Sequence, residues 1–166
     1  MIFTEERETR AANLLEVFAA RGLMIATAES CTGGLIAGLL TEIAGSSRVV
    51  ERGFVSYSNA AKNELLGVPT ETIEAHGAVS ETVVRAMAEG ALAQSRAHVA
   101  IAVSGVAGPG GGTVAKPVGL VHLACARQRG ATVHLERRYG DRGRGEIRLM
   151  TIDDALGLLE AAIAEA

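Results

Sequence analysis

The sequence predicts an α/β fold: a three-layer α/β/α sandwich around a mixed β-sheet. Three observations predict it. Helical and extended patterns alternate through the first two thirds of the chain, as in parallel strands joined by crossover helices. Two apolar runs then face each other across Gln128-Arg129-Gly130, the pattern of an antiparallel hairpin. A long helical pattern closes the chain. No linker, repeat or low-complexity tract interrupts this order, so residues 1–166 are expected to form a single domain.

Thr4 to Arg21 reads as a helix, with Leu14, Leu15, Val17 and Phe18 clustered on one face and Gly22 placed to end it. Leu23–Thr27 is a short apolar run suited to a buried strand. Ser30–Gly34 is a turn of small residues, and Leu35–Ile43 a second helix that Gly45-Ser46-Ser47 breaks. Val49–Tyr57 reads as a strand. Asn59 is expected to cap a short helix that Gly67-Val68-Pro69 stops. Thr70–Ala75 adds a helical turn. Ser80 caps a helix to Ser95, whose apolar stripe is Val84, Met87, Ala88 and Ala91. Val99–Val103 is a strand and Gly105–Lys116 a glycine-rich loop. Val118–Ala126 and Thr132–Tyr139 form the hairpin, and Glu146–Ala164 is the closing helix.

Composition excludes whole classes of function. Aromatic residues are 3% and Trp is absent, which leaves no stacking platform for single-stranded nucleic acid. Sixteen Lys and Arg against nineteen Asp and Glu give a net charge of −3, with no general attraction for DNA or anionic lipid. Neither a nucleic-acid nor a membrane partner is expected. Cys31 and Cys125 are too few for a disulfide framework, so reduced thiols and a cytoplasmic address are expected. The polar start MIFTEERETR is no signal peptide, and no apolar run is long enough to span a bilayer. No His/Cys/Asp/Glu cluster has metal-ligand spacing, so neither a metal nor a cofactor is expected.

Chemistry is expected first at Thr27-Ala28-Glu29-Ser30-Cys31-Thr32-Gly33-Gly34, between a strand and a helix. A nucleophile there projects from the sheet, and the helix start offers backbone N–H groups to a developing oxyanion. Gly33 and Gly34 let a substrate approach the backbone. Ser30 is one nucleophile and Cys31 the other, since a helix start activates a thiol. The bland alternatives are Ser30 and Thr32 as helix caps, and Cys31 as a small buried side chain. The segment is not the G-x-S-x-G elbow of hydrolases.

The second segment is Tyr57-Ser58-Asn59-Ala60-Ala61-Lys62. A lysine in the first turn of a helix opposes the macrodipole, which favours its neutral form by about 0.3–1 kcal/mol. A lysine base needs a pKa of roughly 7–8, a change of about 4 kcal/mol. Desolvation must therefore dominate. Tyr57 could then share or relay a proton, the alternative being a solvated lysine beside an interfacial tyrosine.

Glycines and arginines supply the rest. Ser104, Gly105, Gly108 and Gly110 lie in a run that is neither a Walker loop nor a dinucleotide fingerprint, yet whose amides can cradle a phosphate or carbonyl oxygen. In Gly140-Asp141-Arg142-Gly143-Arg144-Gly145-Glu146-Ile147-Arg148, Arg142 or Arg148 could grip a phosphate, or simply open a solvated helix.

The segments TAESCTGG, SYSNAAKNELLGV, HGAVSETVVRAMAEG, SGVAGPGGGTVAKPVGLV and GDRGRGEIR together resemble the C-terminal domain of the competence/damage-inducible protein CinA. Stand-alone forms of that family are the bacterial nicotinamide-nucleotide amidohydrolases known as PncC. The likeness runs from about Thr4 to the C-terminus and does not include the N-terminal domain of full-length CinA. It implies a three-layer α/β/α sandwich and deamidation of nicotinamide mononucleotide to nicotinate mononucleotide and ammonia, without a cofactor. It further implies Ser30 as nucleophile, Lys62 as base and Tyr57 nearby. Cys31, Thr32, Gly33, Gly34, Asn59, Ser104, Gly105, Gly108, Gly110 and Arg142 are the residues expected to line the substrate. A homo-oligomer is expected from the small-residue faces at Ala88, Ala91 and Ala93. The competing readings are a nucleotide-binding module without turnover, a Cys31 amidase, and an interaction protein.

Overall fold

The computed structural model describes residues 2–165. It contains, in order, α1 (Glu5–Ala20), β1 (Ile25–Glu29), α2 (Leu35–Glu42), β2 (Val50–Val55), α3 (Asn59–Leu66), α4 (Thr70–His76), α5 (Glu81–Ala93), β3 (Val99–Gly105), β4 (Leu120–Arg127), β5 (Val133–Arg138) and α6 (Arg144–Ala164). The strands form one sheet in the order β2-β1-β3-β4-β5. β1 is parallel to both neighbours, whereas β3, β4 and β5 pair antiparallel, so the sheet is mixed as expected.

Alternation along the central strands decides which helices cover which face. Ile25, Ile101, Val103, Val121 and Leu123 point to one side and join Leu14, Phe18, Leu39, Ile152 and Leu156 of α1, α2 and α6. The other side is nearly all alanine: Ala26 and Ala28 on β1, Ala100 and Ala102 on β3, Ala124 and Ala126 on β4. That shallow surface lets Val83, Val84, Met87 and Ala88 of α5 seat close to the sheet. α3 comes equally close to α5. A Cβ on Gly90 would lie 1.9 Å from the Leu66 carbonyl oxygen, so only glycine fits there.

Local signals account for the element ends. Thr4 and Ser80 accept from the amides of Arg7 and Val83, so both act as helix caps. Asn59 does not cap α3. Ser58 does, accepting from the Ala61 amide, and Asn59 becomes the first helical residue. Both residue types cap well, and the strand's exit over Ser56 and Tyr57 decides between them. Lys62 is therefore one position deeper in the helix than expected. α6 begins at Arg144, two residues earlier than the expected Glu146. No helix among the described residues is long and apolar enough to cross a membrane.

Candidate active site

The parallel strands β1, β2 and β3 end side by side, and the residues that follow them line a cavity of about 230 Å³. This is the usual place for a ligand in an open α/β sheet, outside the carboxyl ends of the strands where successive connections leave by opposite faces. Ser30 and Cys31 come from the end of β1, Tyr57 from the end of β2, Asn59 and Lys62 from α3, and Ser104 and Gly105 from β3. Ala78, Val79, Ala107 and Arg144 complete the lining.

At its floor, Lys62 Nζ lies 3.2 Å from Ser30 Oγ, 3.0 Å from the Ser56 carbonyl and 3.1 Å from the Tyr57 carbonyl. Lys62 is only 1% exposed, and no carboxylate pairs with it among the described residues. A buried ammonium without a counter-ion is costly. Burial accordingly lowers the amine's pKa from its ordinary 10.5, outweighing the opposing pull of the Cys31 sulfur. In its neutral form the amine has two N–H donors and one lone pair. The two carbonyls take the donors, which leaves the lone pair for the Ser30 hydroxyl. This is the geometry of an activated nucleophile.

The turn that presents Ser30 is built by Glu29. Its carboxylate is 1% exposed and accepts from Thr32 Oγ1 at 2.6 Å, the Ile36 amide at 2.9 Å and the Ala37 amide at 3.0 Å. Gly33 and Gly34, at φ 59° and 103°, reverse the chain tightly enough for a strand residue to reach those amides. Neither Ser30 nor Thr32 caps α2. Gly34 holds the cap position with no side-chain bond, and Glu29 does the work from inside. From the other side, Arg148 donates to the carbonyls of Cys31 at 3.0 Å and Thr32 at 3.1 Å. Arg148 thus fixes the turn, not a phosphate.

These bonds narrow the oxyanion expectation. The Ser30 amide serves the Val103 carbonyl and the Gly33 amide the Ser30 carbonyl, while Glu29 holds those of Ile36 and Ala37. The amides of Cys31, Thr32 and Gly34 have no backbone partner among the described residues, and of these residues only Cys31 lines the cavity.

Other expected roles change. The Tyr57 phenol does not face Lys62: it accepts from Arg144 Nη2 at 3.0 Å, its ring is 58% exposed, and only its backbone carbonyl reaches the amine. A relay through the phenol lacks the contact it needs. Cys31 is 6% exposed, and burial pushes its thiol up to about 12. The two stacked imidazoles, His122 and His134, engage each other and not Cys31. A cysteine nucleophile is disfavoured, because burial holds the sulfur protonated and no described side chain hydrogen-bonds it. Ser104 Oγ donates to the Ala78 carbonyl at 2.8 Å and holds the loop before α5 against the pocket. Gly105 lines the cavity, and the Gly108 carbonyl accepts from Arg144 Nη1 at 2.8 Å. Thr32, Gly33, Gly34, Gly108 and Gly110, expected to line the substrate, do not line the cavity: Thr32, Gly33 and Gly34 turn back into α2, and Gly108 reaches the site only through its carbonyl bond to Arg144. Arg142 is exposed and donates to the Tyr139 carbonyl, away from the site. Arg144, which sequence reasoning passed over, is the arginine at the mouth, where α6 begins.

Comparison with known proteins agrees with this picture. The family model described as the CinA C-terminal domain matches residues 7–163. A CinA-like protein of Anaeromyxobacter sp. (strain Fw109-5) is 49% identical over 98% of this chain, and one from Akkermansia muciniphila is 55% identical over 86%. The chain spans 39% and 34% of those curated relatives' own lengths. The crystal structure of competence/damage inducible protein CihA from Agrobacterium tumefaciens is 57% identical, with a TM-score of 0.95 over 97% of this chain and 98% of that one. A CinA superfamily protein from Klebsiella pneumoniae 700603 is 33% identical, with a TM-score of 0.90 over 96% and 99%. This chain belongs to the CinA C-terminal domain family.

Proposed function

We propose that the protein deamidates nicotinamide mononucleotide to nicotinate mononucleotide and ammonia through a Ser30 acyl-enzyme, with Lys62 as the base. The observation that carries the reading is the buried, unpaired Lys62 amine 3.2 Å from the Ser30 hydroxyl. Ser–Lys pairs of this kind serve acyl transfer, and a carboxamide is an acyl donor.

Lys62 takes the Ser30 proton as Oγ bonds to the carboxamide carbon. The carbonyl π-electrons move onto oxygen, where the amides of Cys31, Thr32 and Gly34 are the available donors. The Lys62 ammonium returns the proton to the departing nitrogen, and the C–N bond breaks to release ammonia. Water, deprotonated by the same amine, cleaves the ester, and Ser30 recovers its hydrogen.

The cavity of about 230 Å³ falls short of the roughly 300–1,000 Å³ typical for a whole drug-sized ligand. It suits the carboxamide-bearing ring, leaving the ribose phosphate at the mouth. Arg144 stands there between the Tyr57 hydroxyl and the Gly108 carbonyl, both neutral partners that a phosphate can outcompete. The helix start of α2 is no rival anion site, because the Glu29 carboxylate already holds it.

The test is ammonia release across nicotinamide mononucleotide, nicotinamide riboside and free nicotinamide. The mononucleotide is expected to be turned over best. Tight binding in calorimetry with no ammonia from any of the three would replace this reading with a binding module.

A further inference from the structure

A second cavity, of about 530 Å³, opens at the opposite end of the sheet. Val99 lines it at the start of β3, whereas Ser104 lines the catalytic pocket. The two sites are roughly 16 Å apart by the rise of a strand. None of the residues lining one lines the other.

Its walls differ in chemistry. Leu23, Val99, Ala162 and Ile163 form an apolar side. His98, Arg127, Gln128 and Arg129 form a donor-rich side, with Glu165 the one carboxylate among the described lining residues. His98 Nδ1 accepts from the Met24 amide at 2.9 Å, so the imidazole proton sits on Nε2 as a donor. Arg127 is anchored through Nη1 to Glu165 at 3.3 Å, with its side chain 17% exposed. Its Nε–H is buried and has no acceptor. The guanidinium lies on the hairpin turn, where a Cβ on Gly130 would approach Nε and Cζ to 3.0 Å. An orphan buried donor beside a large cavity is unusual, since buried polar groups are nearly always hydrogen-bonded.

We infer that this basal cavity is a second binding site, for a small carboxylate with an apolar body. The apolar side covers the body. The free edge of the Arg127 fork, drawn off Gly130, takes the carboxylate bidentately and gives Nε–H its partner. Arg129 adds a second positive charge. Two arginines against Glu165 leave one net positive charge, which matches a monoanion better than a phosphate dianion.

The test is an amide NMR titration of the full chain with sodium benzoate, with benzamide and inorganic phosphate as controls. Benzoate is expected to give saturable shifts at Leu23, His98, Gln128 and Ile163. Benzamide and phosphate are expected to bind those positions at least about tenfold more weakly, having lost the charge or the apolar body. Arg127→Gln and Arg129→Glu should each weaken benzoate about tenfold or more. Arg129 is exposed, so its variant keeps the test usable if Arg127→Gln fails to fold. No shift at those four positions, full affinity in Arg129→Glu, or equal binding of benzamide or phosphate would overturn the assignment. The readout is separate from ammonia release, so neither result depends on the other.

Discussion

Lys62 Nζ sits 3.2 Å from Ser30 Oγ, closing a contact between residues from different strand–helix corners. No carboxylate among the described residues balances the amine, and burying it lowers its pKa at a cost in stability, which makes the pair testable.

Ser30→Ala is expected to lower kcat for ammonia release by about a thousandfold or more, with binding retained. Cys31→Ala should leave kcat within about threefold, because burial holds the thiol protonated. The comparison needs only steady-state assays of three proteins. Activity surviving in Ser30→Ala would remove the nucleophile from the scheme.

Lys62→Met keeps the length and apolar stem of the side chain but removes the base. A loss of about a hundred- to ten-thousandfold in kcat/KM is expected. In the wild type, kcat/KM should rise with pH through a limb below 10.5, since burial lowers the folded-state pKa of Lys62. The same shift makes the unfolded chain bind more protons between the lowered value and 10.5, so this group's contribution to stability improves as pH rises across that window. Denaturation of wild type and Lys62→Met at several pH values should show the difference moving in favour of wild type toward pH 10.5. A difference that does not change with pH would contradict a neutral buried amine.

Glu29→Gln should destabilise the fold by about 2 kcal/mol and depress activity with it. An amide has one acceptor oxygen where the carboxylate offers two, and its NH2 would face the donors of Thr32, Ile36 and Ala37. Chemical denaturation measures the first effect and kcat the second. Unchanged stability would mean the carboxylate does not hold the turn.

Iodoacetamide should modify native Cys31 slowly. With its thiol pushed up to about 12 from 9.0, the thiolate fraction near neutral pH falls by about a thousandfold, before its 6% exposure slows access further. Mass spectrometry of the alkylated chain at pH 7.5 would reveal rapid labelling if this is wrong.

Arg144→Gln is expected to lower kcat/KM for nicotinamide mononucleotide by about ten- to a hundredfold while leaving nicotinamide riboside nearly unaffected. Equal losses on both substrates would mean Arg144 only braces Tyr57 and Gly108.

The architecture was largely legible in the sequence because it rests on short-range rules. Ser80 caps α5 through an amide three residues on, and the alternation of β1, β3 and β4 shows in single apolar runs. Ser30 and Lys62, the proposed nucleophile and base, were legible as residue types at two strand–helix turns, and their contact is now geometric. What stayed hidden depends on distance along the chain. The Tyr57–Arg144 bond joins residues 87 positions apart, and nothing local in GDRGRGEIR prefers Arg144 to Arg142. Glu29 was given no role within its strand-to-helix segment, because its partners belong to the helix it starts. Ser58 and Asn59 both cap well, so their one-residue ambiguity had no local solution.

Ser56 and Tyr57, whose carbonyls grip Lys62, leave the sheet from β2, which pairs on one side only. Ser30 leaves it from β1, flanked on both sides. Fraying of that outer margin withdraws the two carbonyls that aim the amine while the hydroxyl stays seated on the interior strand. Gentle heating or dilute urea should then silence the chemistry well before far-ultraviolet ellipticity falls, and cooling should restore it.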